Sequence, residues 1–187
     1  MIYAGFKFAP IPNWDSIVTI KAPRNYKDPM IIANYVAKRK AEMETGEAAV
    51  GLLTGSVVQI AWARDDEFAG IKTVEGDDVL KVFHELLMAP TGLTPVAGYR
   101  IHRALKILSL QNAGSDEPPL TVEDIRTIDD RYNRPSGFID PVSLMFGTTD
   151  IDFYSVAARC GTPVDTSDPK ALVEFAKVML RNVDIGQ

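Results

Sequence analysis

The chain has one cysteine, Cys160, and two histidines, His84 and His102, in 187 residues. A lone thiol forms no internal disulfide, and no Cys or His stands at metal-site spacing from it. Cys160 therefore reads as a small packing residue. No apolar run approaches the roughly eighteen residues needed to cross a bilayer, which excludes a spanning helix. The opening Met1-Ile2-Tyr3-Ala4-Gly5-Phe6-Lys7-Phe8 lacks a basic region followed by an apolar core, so no signal peptide is expected and the expected compartment is the cytoplasm. Basic excess is missing as well. Twenty Lys and Arg against 25 Asp and Glu give a net charge of −5, which opposes broad nucleic-acid binding because counterion release needs a basic field. Internal repeats and low-complexity tracts are absent, and the prolines and glycines punctuate elements without forming a linker.

What remains is an ordinary globular composition, 46% hydrophobic and 24% charged, long enough for one domain with a proper core. Asp28-Pro29 predicts an N-cap followed by proline in the first turn, with a helix running to about residue 45. Lys38-Arg39-Lys40 lies in that helix close to Glu42, Glu44 and Glu47, the pattern of a wet face. Residues 56–64, between Gly55 and Asp65-Asp66, read as a strand, with residues 70–74 as hairpin mate. Val79, Val82, Phe83 and Leu86 give residues 77–88 a helical stripe, on which His84 reads as structural. Ile101, Leu105 and Leu108 do the same for residues 100–112. A short helix is predicted over 120–131, and Ser167-Asp168-Pro169 opens a last helix whose apolar face is Leu172, Phe175, Ala176 and Met179. A hairpin followed by helices alternating with a further strand is an α/β pattern. Residues 1–16, with Pro10, Pro12 and Trp14, read as an added N-terminal arm or short strand.

Thr19-Ile20-Lys21-Ala22-Pro23-Arg24-Asn25-Tyr26-Lys27-Asp28-Pro29, Gly55–Ala63, residues 76–87, Pro95-Val96-Ala97-Gly98-Tyr99-Arg100-Ile101-His102-Arg103-Ala104-Leu105, Phe138-Ile139-Asp140-Pro141, Tyr154–Pro163 and Leu180-Arg181-Asn182-Val183-Asp184 follow one another in an order that resembles the DEDD-class 3′–5′ exonucleases. The resemblance covers residues 17–187 as one domain and implies a ribonuclease H-like mixed sheet flanked by helices, with residues 1–16 as an extension. It also implies lost chemistry. Val18 stands in the place of the first motif's Asp, Ile20 of its Glu and Leu105 of the second motif's Asp, so Asp184 alone survives of four ligands. Hydrocarbon side chains cannot hold the paired divalent cations that such hydrolysis uses. On a strand, Val18 and Ile20 would lie side by side. With Leu105 they would form an apolar floor, either collapsed into core or open as a surface.

Three readings stay open at this point. The first is a catalytically inactive exonuclease-like domain that binds a protein or itself, with no cofactor; relatives of this kind are common in bacteriophage genomes, so a phage-encoded assembly or regulatory factor is implied. Its expected anchors are Tyr3, Phe6, Phe8 and Trp14 in the arm. The second is an active nuclease using Mg²⁺ or Mn²⁺ on relocated ligands, Asp140, Asp150, Asp152 and Asp184, with Asp15 nearest the first motif. The third is a non-catalytic single-stranded nucleic-acid module using Lys21, Arg100 and Arg103, beside which His102 could meet a phosphate. The acidic net charge disfavours it.

Overall fold

A computed structural model describes residues 1–11, 19–44, 55–65, 70–121, 137–146, 158, 161 and 165–181. The chain divides into two compact units, one of residues 1–7 with 57–187 and one of residues 8–56.

The first unit is an α/β structure built on a five-stranded mixed sheet. Its middle strand is β1 (Ile2–Pro10). Ile2, Tyr3, Ala4, Gly5 and Phe6 are all buried, the unbroken burial of a strand covered on both faces. Next come β2 (Gly55–Arg64) and β3 (Lys72–Glu75), an antiparallel hairpin in which Ile60 faces Val74 and Trp62 faces Lys72. The helix α2 (Asp78–Met88) leads through a short 3₁₀ turn to β4 (Val96–Ala97). Then α3 (Ile101–Ala113), β5 (Phe138–Ile139), α4 (Pro141–Phe146) and α5 (Pro169–Arg181) complete the described elements. The strand order is β3-β2-β1-β4-β5, with β4 parallel to both β1 and β5.

Helix α5 lies on the sheet through Val173, Ala176 and Leu180, against Tyr3, Ala61, Ala63 and Ala97. The small residues let it approach closely. A Cβ on Gly5 would collide with the Pro169 carbonyl and come within 3.1 Å of the Leu172 Cβ, so only glycine fits under the start of this helix. Helix α2 packs on α3. Val79, Val82, Phe83, Leu86 and Leu87 are buried on α2, and Ile101, Ala104, Leu105, Ile107 and Leu108 on α3. Each large side chain among them contributes about 1.5–3 kcal/mol by leaving water.

Polar side chains finish what the ladders leave open. The Gln111 amide on α3 accepts from the Val57 N–H at 2.8 Å and donates to the Val57 carbonyl at 3.1 Å, acting as a surrogate strand. Asn112 is buried; its amide nitrogen donates to the Pro118 carbonyl, while its oxygen lies 2.8 Å from His84 Nε2. Because that oxygen can only accept, His84 Nε2 carries the proton. His84 is structural, as its place in the stripe predicts.

Two expectations change. The first residues are no added extension, because the strand they form, β1, is the central one; its run of buried residues lacks the alternation that marks a strand in sequence. The strand that the resemblance implies at Val18 and Ile20 is not found in its described part: residues 19–23 form no strand, and a turn follows at Arg24-Asn25. The predicted helix over 120–131 lies outside the described residues from 122 onward.

In the second unit, α1 (Pro29–Glu44) starts where Asp28-Pro29 predicts. Asp28 Oδ1 accepts from the Met30 N–H at 2.8 Å, capping an otherwise unpaired donor. None of the side chains of residues 29–42 is buried.

Candidate functional site

In an open sheet with parallel strands, the carboxyl ends of those strands are where loops gather and ligands bind. Here β4 is followed by Gly98 and β5 by Asp140. Gly98 donates to the Ile139 carbonyl at 2.9 Å, and a Cβ on it would stand 2.5 Å from the Ala4 carbonyl oxygen. The loop must therefore pass tightly beside β1. Two residues later Arg100 adopts the left-handed conformation, φ 55 and ψ 28, which is uncommon for a residue with a Cβ.

Asp140 holds that turn. Its Oδ2 accepts from the Arg100 N–H at 2.9 Å, and its Oδ1 accepts from Val142 N–H at 3.0 Å and Ser143 N–H at 3.3 Å. One carboxylate thus fixes the loop after β4 and caps α4. It is 4% exposed. Burial pushes its carboxyl above the ordinary value, while the three backbone donors and the charge of His102 pull the other way. The Arg100 guanidinium leaves the turn and lies over the Tyr99 ring, 5.2 Å from its centroid.

The positions of the resembled motifs do not assemble into a described site. Val18 and Asp184 lie outside the described residues, as do Asp15, Trp14, Asp150, Asp152 and Cys160. Ile20 is half-buried in a segment without strand structure, so the side-by-side placement expected of it and Val18 has no strand to rest on. Leu105 is 1% exposed, packed in the core of the first unit. Phe6 is fully buried and cannot serve as a docking anchor, contrary to expectation; Phe8 is half-buried at the end of β1. Lys21, Arg100 and Arg103 are exposed. Among the described residues, no three His, Cys, Asp or Glu side chains gather in a way that could hold a metal ion.

A second feature went unread in the sequence. In the second unit an open groove of about 470 Å³ runs along α1, lined by Tyr26, Ile31, Tyr35, Lys38, Arg39 and Glu42 among others. Tyr26 and Tyr35 meet edge to face, centroids 5.6 Å apart. Arg39 Cζ stands 5.7 Å from the Tyr35 centroid, and its Nη1 donates to Glu42 Oε2 at 2.8 Å. Lys38-Arg39-Lys40 hid this groove by reading as a solvated face. The available signal was the apolar triplet Met30-Ile31-Ile32, which follows no amphipathic stripe and is only partly covered. Met30 is 72% and Ile31 51% exposed.

Comparison of the chain with protein-family models, with curated proteins and with solved structures gives no match.

Proposed function

We propose that this chain is a non-catalytic, exonuclease-like domain of ribonuclease H-like type that acts by binding a protein partner. The single observation carrying the non-catalytic half is the fate of the described carboxyl-end positions. Leu105, read in place of an acid, is packed in the core. Asp140, the described one among the acids that a relocated site would recruit, already accepts three backbone N–H bonds. A carboxylate committed in this way holds a turn, and drawing it toward a cation would strand the Arg100, Val142 and Ser143 donors at a cost of about 1–3 kcal/mol each.

The mixed sheet, with its hairpin followed by helices and parallel strands, supports the ribonuclease H-like reading. The partly bare α1, with Met30 and Ile31 in solvent, supports the binding half, since exposed apolar residues on a helix edge are a usual mark of recognition surfaces. Manganese titration followed by electron paramagnetic resonance tests the reading. The expected result is no saturable binding. Stoichiometric binding that disappears in Asp184→Asn or Asp140→Asn would replace it with the relocated-ligand nuclease.

A further inference from the structure

Charge is unevenly distributed along this chain. Between residue 21 and the end of α1 at residue 44 lie six Lys and Arg (Lys21, Arg24, Lys27, Lys38, Arg39, Lys40) and three acids, Asp28, Glu42 and Glu44. That stretch carries +3 in a chain of net −5, which leaves −8 elsewhere. It forms the turn before α1 and α1 itself. Lys21, Arg24, Lys27, Lys38 and Arg39 are all exposed. A positive field of this density attracts acidic ligands and raises their encounter rate.

The groove along α1 sits within this field and adds apolar chemistry to it. Its walls are the Tyr26–Tyr35 pair and Ile31, with Lys38 and Arg39 on the rim. Arg24 and Lys27 flank Tyr26 by two residues and one. The volume, about 470 Å³, suits a few side chains of a peptide more than a folded surface. We infer that the α1 groove receives an acidic, amphipathic segment of another protein, its apolar side chains against Tyr26, Ile31 and Tyr35 and its carboxylates against Lys38, Arg39 and the cations before the helix.

Two features favour a peptide over single-stranded nucleic acid, the other polyanion with apolar faces. Glu42 lines the groove and pairs with Arg39 and, at 3.9 Å, with Lys38. A phosphate backbone repeats its charge at every unit and would meet that carboxylate. A peptide can place its acids on either side of it. The exposed Met30 and Ile31 also offer aliphatic contact area, which a nucleic acid gains little from, since its base recognition relies on aromatic stacking. This inference rests on the binding half of the proposed function and names its partner's chemistry; it is independent of whether the chain cuts nucleic acid.

The test uses the full chain, isotopically labelled, in a two-dimensional NMR titration alongside fluorescence anisotropy. The probes are a short peptide of Glu with Leu and Phe at helical spacing, its Lys-for-Glu counterpart and a short oligothymidylate. The Glu peptide should bind with a Kd on the order of 10–100 μM, shift the amide signals of residues 24–42, and weaken as salt is raised. Tyr35→Ala and the charge reversal Lys38→Glu with Arg39→Glu should each weaken it roughly tenfold. These side chains are half-buried or exposed, so the variants keep the fold, and the wild-type shift map stands without them. Equal binding of the Lys peptide, tighter binding of the oligothymidylate, no binding by the Glu peptide, or shifts confined to other residues would each overturn the inference. The manganese titration fails or succeeds separately, so loss of one reading leaves the other intact.

Discussion

Replacing Asp140 by alanine removes the group that joins the loop after β4 to the start of α4. Three N–H donors lose their acceptor, at 2.9, 3.0 and 3.3 Å. Hydrogen bonds to a charged acceptor contribute about 1.5–3 kcal/mol each. The longest of the three is weak, and relief from burying a carboxylate offsets part of the loss. The net expectation is about 2–4 kcal/mol of destabilisation, or roughly 4–16 °C in melting temperature for a chain of this size. Arg100 also loses what holds its left-handed turn, so its signal and that of Tyr99 should shift most in NMR spectra. Urea denaturation at neutral pH measures the energy. A change below about 0.5 kcal/mol, the range of an ordinary surface substitution, would show that Asp140 is not the staple and would free it for a chemical role.

Other outcomes follow from the same packing and hydrogen bonds. Burial raises the folded-state carboxyl of Asp140 above its ordinary 3.8, so the proton-linked part of its contribution is fully present below that value and is lost as pH rises through the folded value. The stability advantage of wild type over Asp140→Asn should accordingly shrink from acid toward neutral pH, and an advantage that grows would contradict the sign. Leu105→Ala should cost about 2–5 kcal/mol by thermal or urea unfolding, and Leu105→Asp more; a neutral Leu105→Asp would mean an open floor. Gly5→Ala should cost at least about 1–3 kcal/mol through displacement of α5, read by the same unfolding assay and contradicted by an unchanged midpoint. Burial, then Asp65, push the Tyr3 hydroxyl up to about 12, so its stabilisation is present below pH 10 and fades as pH climbs toward 12. Tyr3→Phe should therefore lose less stability than wild type across that alkaline window, as followed by circular dichroism.

Local chemistry made much of this fold legible. All three Asp-Pro pairs open a helix: Asp28-Pro29 starts α1, Asp140-Pro141 α4 and Asp168-Pro169 α5. Each Asp side chain accepts from the residue two positions on, at 2.8–3.0 Å, a bond whose partners lie within one turn. The stripes of α2, α3 and α5 were equally readable, because each faces one side of one core. Strand β1 was not. A central strand is buried on both faces, so Tyr3 and Phe6 look like exposed anchors until its neighbours are known. The resemblance puts its first motif on residues 18–21, of which 19–21 form no strand. Asp140 was seen in the sequence as one acid among several. Its role depends on Arg100, 40 residues away, and no spacing rule encodes that contact. Leu105 carried the clearer message, since a leucine within a helical stripe belongs to the core.

The central claim, that the chain binds and does not cut, is tested most directly by incubating it with 3′-labelled single-stranded and duplex DNA in Mg²⁺ or Mn²⁺. The account predicts full-length substrate at every time point, for wild type and for Asp184→Ala alike. Metal-dependent shortening from the 3′ end by wild type, abolished in Asp184→Ala or Asp140→Asn, would contradict it.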